Sequence, residues 1–261
     1  MRAIASGVAL SQKTEREPVV IWHKDKGLNA AFSDIFHTDN LPFVLKETNT
    51  LVYNLIYEQP RKLNLYISAI SNLFDGKRRI VQDYNKDFIS DEKEIEKIVA
   101  SSDADVIIQS GFVFHHIDGK FMNSIFRYNA RVRSRMEEIL GGNSTLYALQ
   151  IRRTDNNHSI ANSPLEAFED IARKLVAKDE RVKIFLATDD DETKRHFRIL
   201  YPQNIIVNPE IASRRSREGI IDAAAELYIM AQCREIYGSY WSSFSEIASL
   251  IGENILHVVK K

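Results

Sequence analysis

The sequence predicts an α/β protein whose C-terminal half is a Rossmann-like domain. Two observations carry that prediction. From Leu146 onward, short apolar runs alternate with amphipathic helical stretches, and Gly141-Gly142-Asn143-Ser144 separates this regular half from a less regular one. Such alternation implies parallel strands covered by helices on both faces. A chain of 261 residues suits two modest domains. The glycine pair sets their expected limits at 1–142 and 143–261.

In the first half, Met1 to Leu10 has one basic residue and a short apolar stretch, like a weak signal sequence. Ser11-Gln12-Lys13-Thr14 is a poor cleavage site, and a helix over 3–15 fits better. Pro18-Val19-Val20-Ile21-Trp22 follows as a buried strand, β-branched residues behind a proline. Residues 24–40 form a loop with a short helix, and 43–82 hold short strands in no clear order. Asp91–Ala100 is a charged helix, Asp105–Gln109 a second buried strand, and 121–139 a basic helix carrying Arg127, Arg131, Arg133 and Arg135.

In the second half, Leu146–Ile151 is a strand. Ser163-Pro164-Leu165 opens a helix to Lys178, with a serine cap and proline at its first position. Strands follow at Val182–Ala187, Asn204–Val207, Glu235–Gly238 and Ile255–Val259. Helices lie between them at Asp190–Leu200, Gly219–Gln232 and Phe244–Gly252.

Composition narrows the partners. A net charge of −1 provides no basic field for nucleic acid. The single cysteine, Cys233, excludes an intrachain disulfide and sits in an apolar helical run, as a packing residue does. No apolar run reaches the ~20 residues needed to span a bilayer. These features fit a cytoplasmic protein, with peripheral membrane association left open.

Ligands of parallel α/β sheets bind beyond the carboxyl ends of the strands, and three polar clusters fall there. Gln150-Ile151-Arg152-Arg153-Thr154-Asp155 brings two guanidinium forks, suited to phosphate. Strand alternation would send Arg152 and Arg153 to opposite faces, so at most one of them is expected as the primary phosphate ligand. A salt bridge to Asp155 is the structural alternative. Thr188-Asp189-Asp190-Asp191 begins a helix, where acids satisfy free amides. Only Asp189 and Asp191 have the alternating spacing of a metal pair, so helix capping is expected and no metal site. Ser242-Ser243-Phe244-Ser245-Glu246 starts another helix, whose amides and hydroxyls make an anion site. A capping box of Ser243 with Glu246 is the structural alternative there. Asp222 is either a further ligand or a dipole partner.

Four stretches taken in order resemble the GDP-fucose-dependent fucosyltransferase superfamily, which includes α1,6-, nodulation and protein O-fucosyltransferases. They are Ala148–Asp155, Ile184–Asp190, Gly219–Asp222 and Ser242–Ala248. Fainter matches are Arg2–Gly7 and Val19–Trp22 followed by Leu28–Phe36. The resemblance implies a B-type glycosyltransferase of two Rossmann-like domains, the acceptor on the N-terminal one and a nucleotide sugar on the C-terminal one. It expects a first strand and a glycine-containing loop ahead of Arg2. Neither is in the sequence, so the N-terminal domain is expected to be abbreviated.

The resemblance further implies transfer of fucose from GDP-fucose to a glycan, with inversion and without a metal or other cofactor. Arg152 would meet the β-phosphate, with Ser242, Ser243, Phe244 and Ser245 along the diphosphate and Asp222 at the guanine. Gln150 stands where the family often has histidine. Arg153, Thr188 and Asp189 complete the expected donor side. Arg152 and Asp155 are the catalytic candidates, and Trp22, His23, Asn29 and His158 the acceptor-side ones. A nonenzymatic nucleotide- or glycan-binding relative, or a B-type transferase with another donor, fits the same residues.

Overall fold

The computed structural model describes residues 1–49, 78–82, 91–154 and 157–261. The chain divides into two compact units, Met1–Phe32 with Thr38–Phe126, and Ser33–His37 with Arg127–Lys261. The division falls between Phe126 and Arg127, ahead of the Gly141-Gly142 turn.

The first unit opens with helix α1 (Arg2–Lys13), strand β1 (Val19–Lys24) and the short helix α2 (Phe32–Ile35), which crosses the division. Strands β2 (Val44–Asn49) and β3 (Arg78–Gln82), helix α3 (Glu92–Ser101), strand β4 (Asp105–Gln109) and helix α4 (Gly119–Ile125) follow. β1 pairs with β2 and β3 with β4, both parallel. Among the described residues these make two separate two-stranded sheets. β1 and β4 both line a cavity of 570 Å³, walled also by Gly7, Val8 and Phe114.

Its core is Leu10, Ile95, Ile98, Val99 and Phe114. The spacing of Ile95, Ile98 and Val99 puts all three on one face of α3, as the amphipathic pattern requires. Arg16 closes the end of α3, its guanidinium donating to the carbonyls of Val99, Ser102 and Ala104 at 3.0, 2.8 and 2.7 Å. The Val99 and Ser102 carbonyls, at the end of α3, thereby gain a donor that the helix no longer supplies.

The second unit begins with helix α5 (Ala130–Leu140), strand β5 (Tyr147–Ile151), and helices α6 (Asn157–Asn162) and α7 (Leu165–Lys178). Strand β6 (Ile184–Thr188), helix α8 (Asp191–Leu200), strand β7 (Ile205–Val207) and helix α9 (Arg217–Gln232) continue it. Strand β8 (Glu235–Ser239), helix α10 (Ser243–Gly252) and strand β9 (Ile255–Val259) complete it. All five strands are parallel, in the order β7-β6-β5-β8-β9. β5 and β6 are apolar without alternation because helices cover both of their faces. Leu149, Ile151, Ile184 and Leu186 meet Phe168 and Ala172 of α7 and Phe197 of α8 on one side. Cys233 is buried, and burial pushes its thiol up to about 11, as suits a packing residue.

Three local expectations change. The basic helix predicted over 121–139 is two helices. The Asn129 side chain accepts the Val132 amide at 3.2 Å and so starts α5 afresh, after a break at Phe126–Asn129. The helix predicted from Ser163 has Pro164 at its N-cap and no side-chain cap bond, and the separate helix α6 precedes it. The Ser163 hydroxyl instead donates to the Val259 carbonyl at 2.6 Å and receives the Tyr240 amide at 2.8 Å. Third, the expected capping box of Ser243 with Glu246 is not formed. Ser242 is the N-cap of α10, and its hydroxyl makes no cap hydrogen bond. Among the described residues, no helix is long and apolar enough to cross a membrane.

Candidate active site at the strand switch point

With β5 central, the connections run outward through β6 and β7 on one side and β8 and β9 on the other. The switch point is the β5–β8 boundary, where an open α/β sheet leaves a crevice at its carboxyl edge. Ser239, the last residue of β8 and 2% exposed, joins the two strand ends. Its hydroxyl accepts the Arg152 amide at 3.0 Å and donates to the Gln150 carbonyl at 3.2 Å.

Arg152 is half-buried, with its Nε 3.3 Å from Asp189 Oδ2. The same carboxylate receives the Arg153 amide at 2.8 Å and the Thr154 hydroxyl at 2.7 Å. Asp189 therefore clamps three consecutive residues of the loop after β5. The acid facing Arg152 is Asp189, and Asp155 lies outside the described residues. Asp189 is thereby engaged with the protein's own loop.

Both arginines lie beyond the end of β5, and Arg153 has a different partner from Arg152. Its guanidinium donates to the Ser163 carbonyl at 2.8 Å. Burial lowers its pKa, against the pull of Glu166, Asp189 and Asp190. Its role is a tie between loops. Asp190 is the expected helix cap, receiving the Thr193 amide at 2.8 Å and hydroxyl at 2.6 Å. Gln150 and Thr188 are buried, and Gln150 Oε1 and Thr188 Oγ1 have no hydrogen-bond partner.

At the start of α10, the first-turn amides have no side-chain cap, which leaves the positive end of the helix open. Ser243 is exposed, Phe244 half-buried and Ser242 buried. Ser245 turns inward: it is 2% exposed and its hydroxyl donates to the Ser242 carbonyl at 3.1 Å. Its closeness to β8 requires glycine at 238, where a Cβ would lie 2.4 Å from Ser245 Oγ. Ser245 is thus a packing residue, and its hydroxyl does not join the exposed rim.

Trp241 bridges β8 and α10 with φ 59°, a left-handed conformation that costs a non-glycine residue about 1–2 kcal/mol. It is exposed and lies 6.0 Å from the ring of His158, so α6 and this loop form an aromatic wall. Ser159 holds the loop from below, donating to the Tyr240 carbonyl at 2.6 Å.

Asp222 belongs to a buried charge network. Arg135 donates to Asp222 Oδ1 at 2.6 Å and to Asn208 Oδ1 at 3.1 Å. Lys194, 4% exposed, donates to the carbonyls of Asn208 and Glu210. Desolvation lowers its pKa. Glu226 is also covered, and burial pushes it up to about 7 against the opposing pull of Lys194. The sequence signal for this network is one acid inside the apolar run Ala223-Ala224-Ala225-Glu226-Leu227.

In the first unit, Trp22 is a core residue. It is 7% exposed, stacks edge-on against Phe32 and donates from Nε1 to the Ala30 carbonyl at 2.8 Å. Its ring is thus committed to packing within this unit. His23, 4.0 Å from Asp25, is near the carboxyl end of β1, and Asn29 is half-buried in the loop beyond.

No protein-family model matches the chain, and no curated protein does. Solved structures match over nearly the whole chain. The NodZ α-1,6-fucosyltransferase soaked with GDP-fucose has a TM-score of 0.62 at 17% identity, covering 95% of this chain and 87% of that one. A NodZ structure is from Bradyrhizobium, with a TM-score of 0.60 at 16% identity over the same shares. POFUT1 in complex with GDP-fucose has a TM-score of 0.58 at 11% identity, covering 99% of this chain and 93% of that one. At these identities the likeness is one of fold: the chain has the B-type α/β fold of these fucosyltransferases.

Proposed function

We propose that the chain is a glycosyltransferase that takes its donor, GDP-fucose, at the β5–β8 switch point. The observation that carries this reading is the pairing of Arg152 with the uncapped start of α10 at adjacent strand ends joined by Ser239. A guanidinium fork and first-turn amides are the groups that hold a diphosphate. The donor in the NodZ and POFUT1 complexes supports GDP-fucose.

In this reading an acceptor hydroxyl attacks the sugar's anomeric carbon as the bond from that carbon to the β-phosphate oxygen breaks. The leaving GDP takes the electron pair, and the hydroxyl proton passes to a base. Arg152, kept extended by Asp189, meets the charge growing on the β-phosphate, and the amides of Ser243 and Phe244 meet the rest. Losing one such donor costs about 100–1000-fold in rate. Asp155 and His158 are the base candidates on this side, and His158 stands against Trp241 at the rim. Asp222 is the guanine contact, with Arg135 setting its carboxylate. Attack from the face opposite GDP gives inversion. The acceptor is a glycan, taken by the N-terminal unit through His23 and Asn29. No metal is required for the transfer.

The test is a panel of GDP-, UDP- and dTDP-sugars assayed for hydrolysis and transfer. Release of GDP from GDP-fucose above the other donors supports the reading. Turnover of another donor in preference to it, or GDP binding without turnover of any, overturns it.

A further inference from the structure

Outside the switch point, α3 and the segment after β4 bring three metal-ligand side chains together in the first unit. Glu92 and Glu96 are one turn apart and share a face of α3. His115 reaches them from the loop after β4, its Nε2 3.3 Å from Glu92 Oε1 and 3.3 Å from Glu96 Oε1. All three donor atoms lie within 4.8 Å of one another.

The histidine is fixed before anything binds. Its residue is 9% exposed, and its carbonyl accepts the hydroxyl of Ser6, itself fully buried, at 3.2 Å. Its Nδ1 lies 3.4 Å from the His116 carbonyl. Nε2 is fully covered, and the groups it faces are the two carboxylates. A covered ring nitrogen and two carboxylates converging on one point are an arrangement that a cation between them would stabilise. Metal-bound histidines commonly have this carbonyl contact on their other nitrogen.

We propose that Glu92, Glu96 and His115 bind one zinc ion, with water in the fourth position. Tetrahedral zinc with arms of about 2.0–2.2 Å sets its ligand atoms about 3.3–3.5 Å apart, and both nitrogen–oxygen separations match. Lys13, which donates to Glu96 Oε1, supplies one positive charge against the two carboxylates and is exposed enough to swing clear. Glu92 Oε1 also accepts the His116 amide at 3.3 Å, which orients it. The ion would staple α3 to the segment after β4. This site is distinct from the donor site and independent of the proposed transfer.

The test is titration of the chelator-treated full chain with zinc chloride by calorimetry, and with cobalt(II) by visible absorption. One equivalent of zinc, intense tetrahedral cobalt bands and at least tenfold weaker zinc binding in His115→Ala are expected. If His115→Ala does not fold, the half-exposed Glu92→Gln carries the same comparison. Zinc affinity unchanged in the variants, or no cobalt band beyond that of the hydrated ion, overturns the proposal. So does a doubly protonated His115 imidazolium in nitrogen NMR at neutral pH with zinc present.

Discussion

Asp189 lies 3.3 Å from the Nε of Arg152 and holds the backbone that follows it, through the Arg153 amide and the Thr154 hydroxyl. One carboxylate at the end of β6 thus orients the arginine at the end of β5. Asp189→Asn keeps the size and loses the charge. Its expected effect is a fall in kcat/KM for the donor of about tenfold or more, with a smaller loss of stability of about 1–3 kcal/mol. A double-mutant cycle with Arg152→Ala checks it: the two losses should not add, because Asp189 acts through Arg152.

Gly238→Ala tests how closely α10 must approach β8. The new Cβ would meet Ser245 Oγ at 2.4 Å and Ser245 Cβ at 2.6 Å. Overpacking at such a contact costs about 1–3 kcal/mol. Urea unfolding should show that loss, and donor affinity should fall with it because the start of α10 is displaced.

Trp241→Gly separates strain from function. Glycine adopts the φ of 59° without steric penalty, so stability should hold or rise slightly. The ring facing His158 is lost, so kcat/KM should fall. Paired unfolding and kinetic measurements check the two halves, and a large loss of stability would contradict the strain argument.

Glu226 predicts a pH dependence of stability. Its folded pKa of about 7 lies above the ordinary 4.5, so the folded state holds the proton more tightly than the unfolded state. Its contribution is therefore full below about pH 4.5 and is lost as pH rises through about 7. Glu226→Gln should flatten the change in Tm across that window. A wild-type slope retained in the variant would assign the dependence to other groups.

The second unit was largely legible because its strands are unbroken apolar runs and its sheet is continuous. β5 and β6 read correctly for that reason, and Asp190 read as a cap because acids at a helix start have few other uses. What escaped depends on partners far apart in sequence. Ser163 precedes a proline in the order of a helix start, yet its hydroxyl bridges Tyr240 and Val259. Asp189 was singled out for the donor side, but its contact with Arg152 depends on folding, which sets the ends of β5 and β6 side by side. Glu226 was hidden inside an apolar helix, and the histidine of the Glu92–Glu96–His115 group is remote from the two glutamates in the chain. Trp22 read correctly as part of a buried strand, because β-branched residues behind a proline carry that signal.

The most direct test of the donor site is calorimetric titration of GDP into the wild-type chain and into Arg152→Ala, with circular dichroism showing that both fold. The account predicts saturable binding to the wild type and about 10–100-fold weaker binding to the variant, the worth of a charge-assisted hydrogen bond. Equal GDP affinity in the two folded proteins would contradict it.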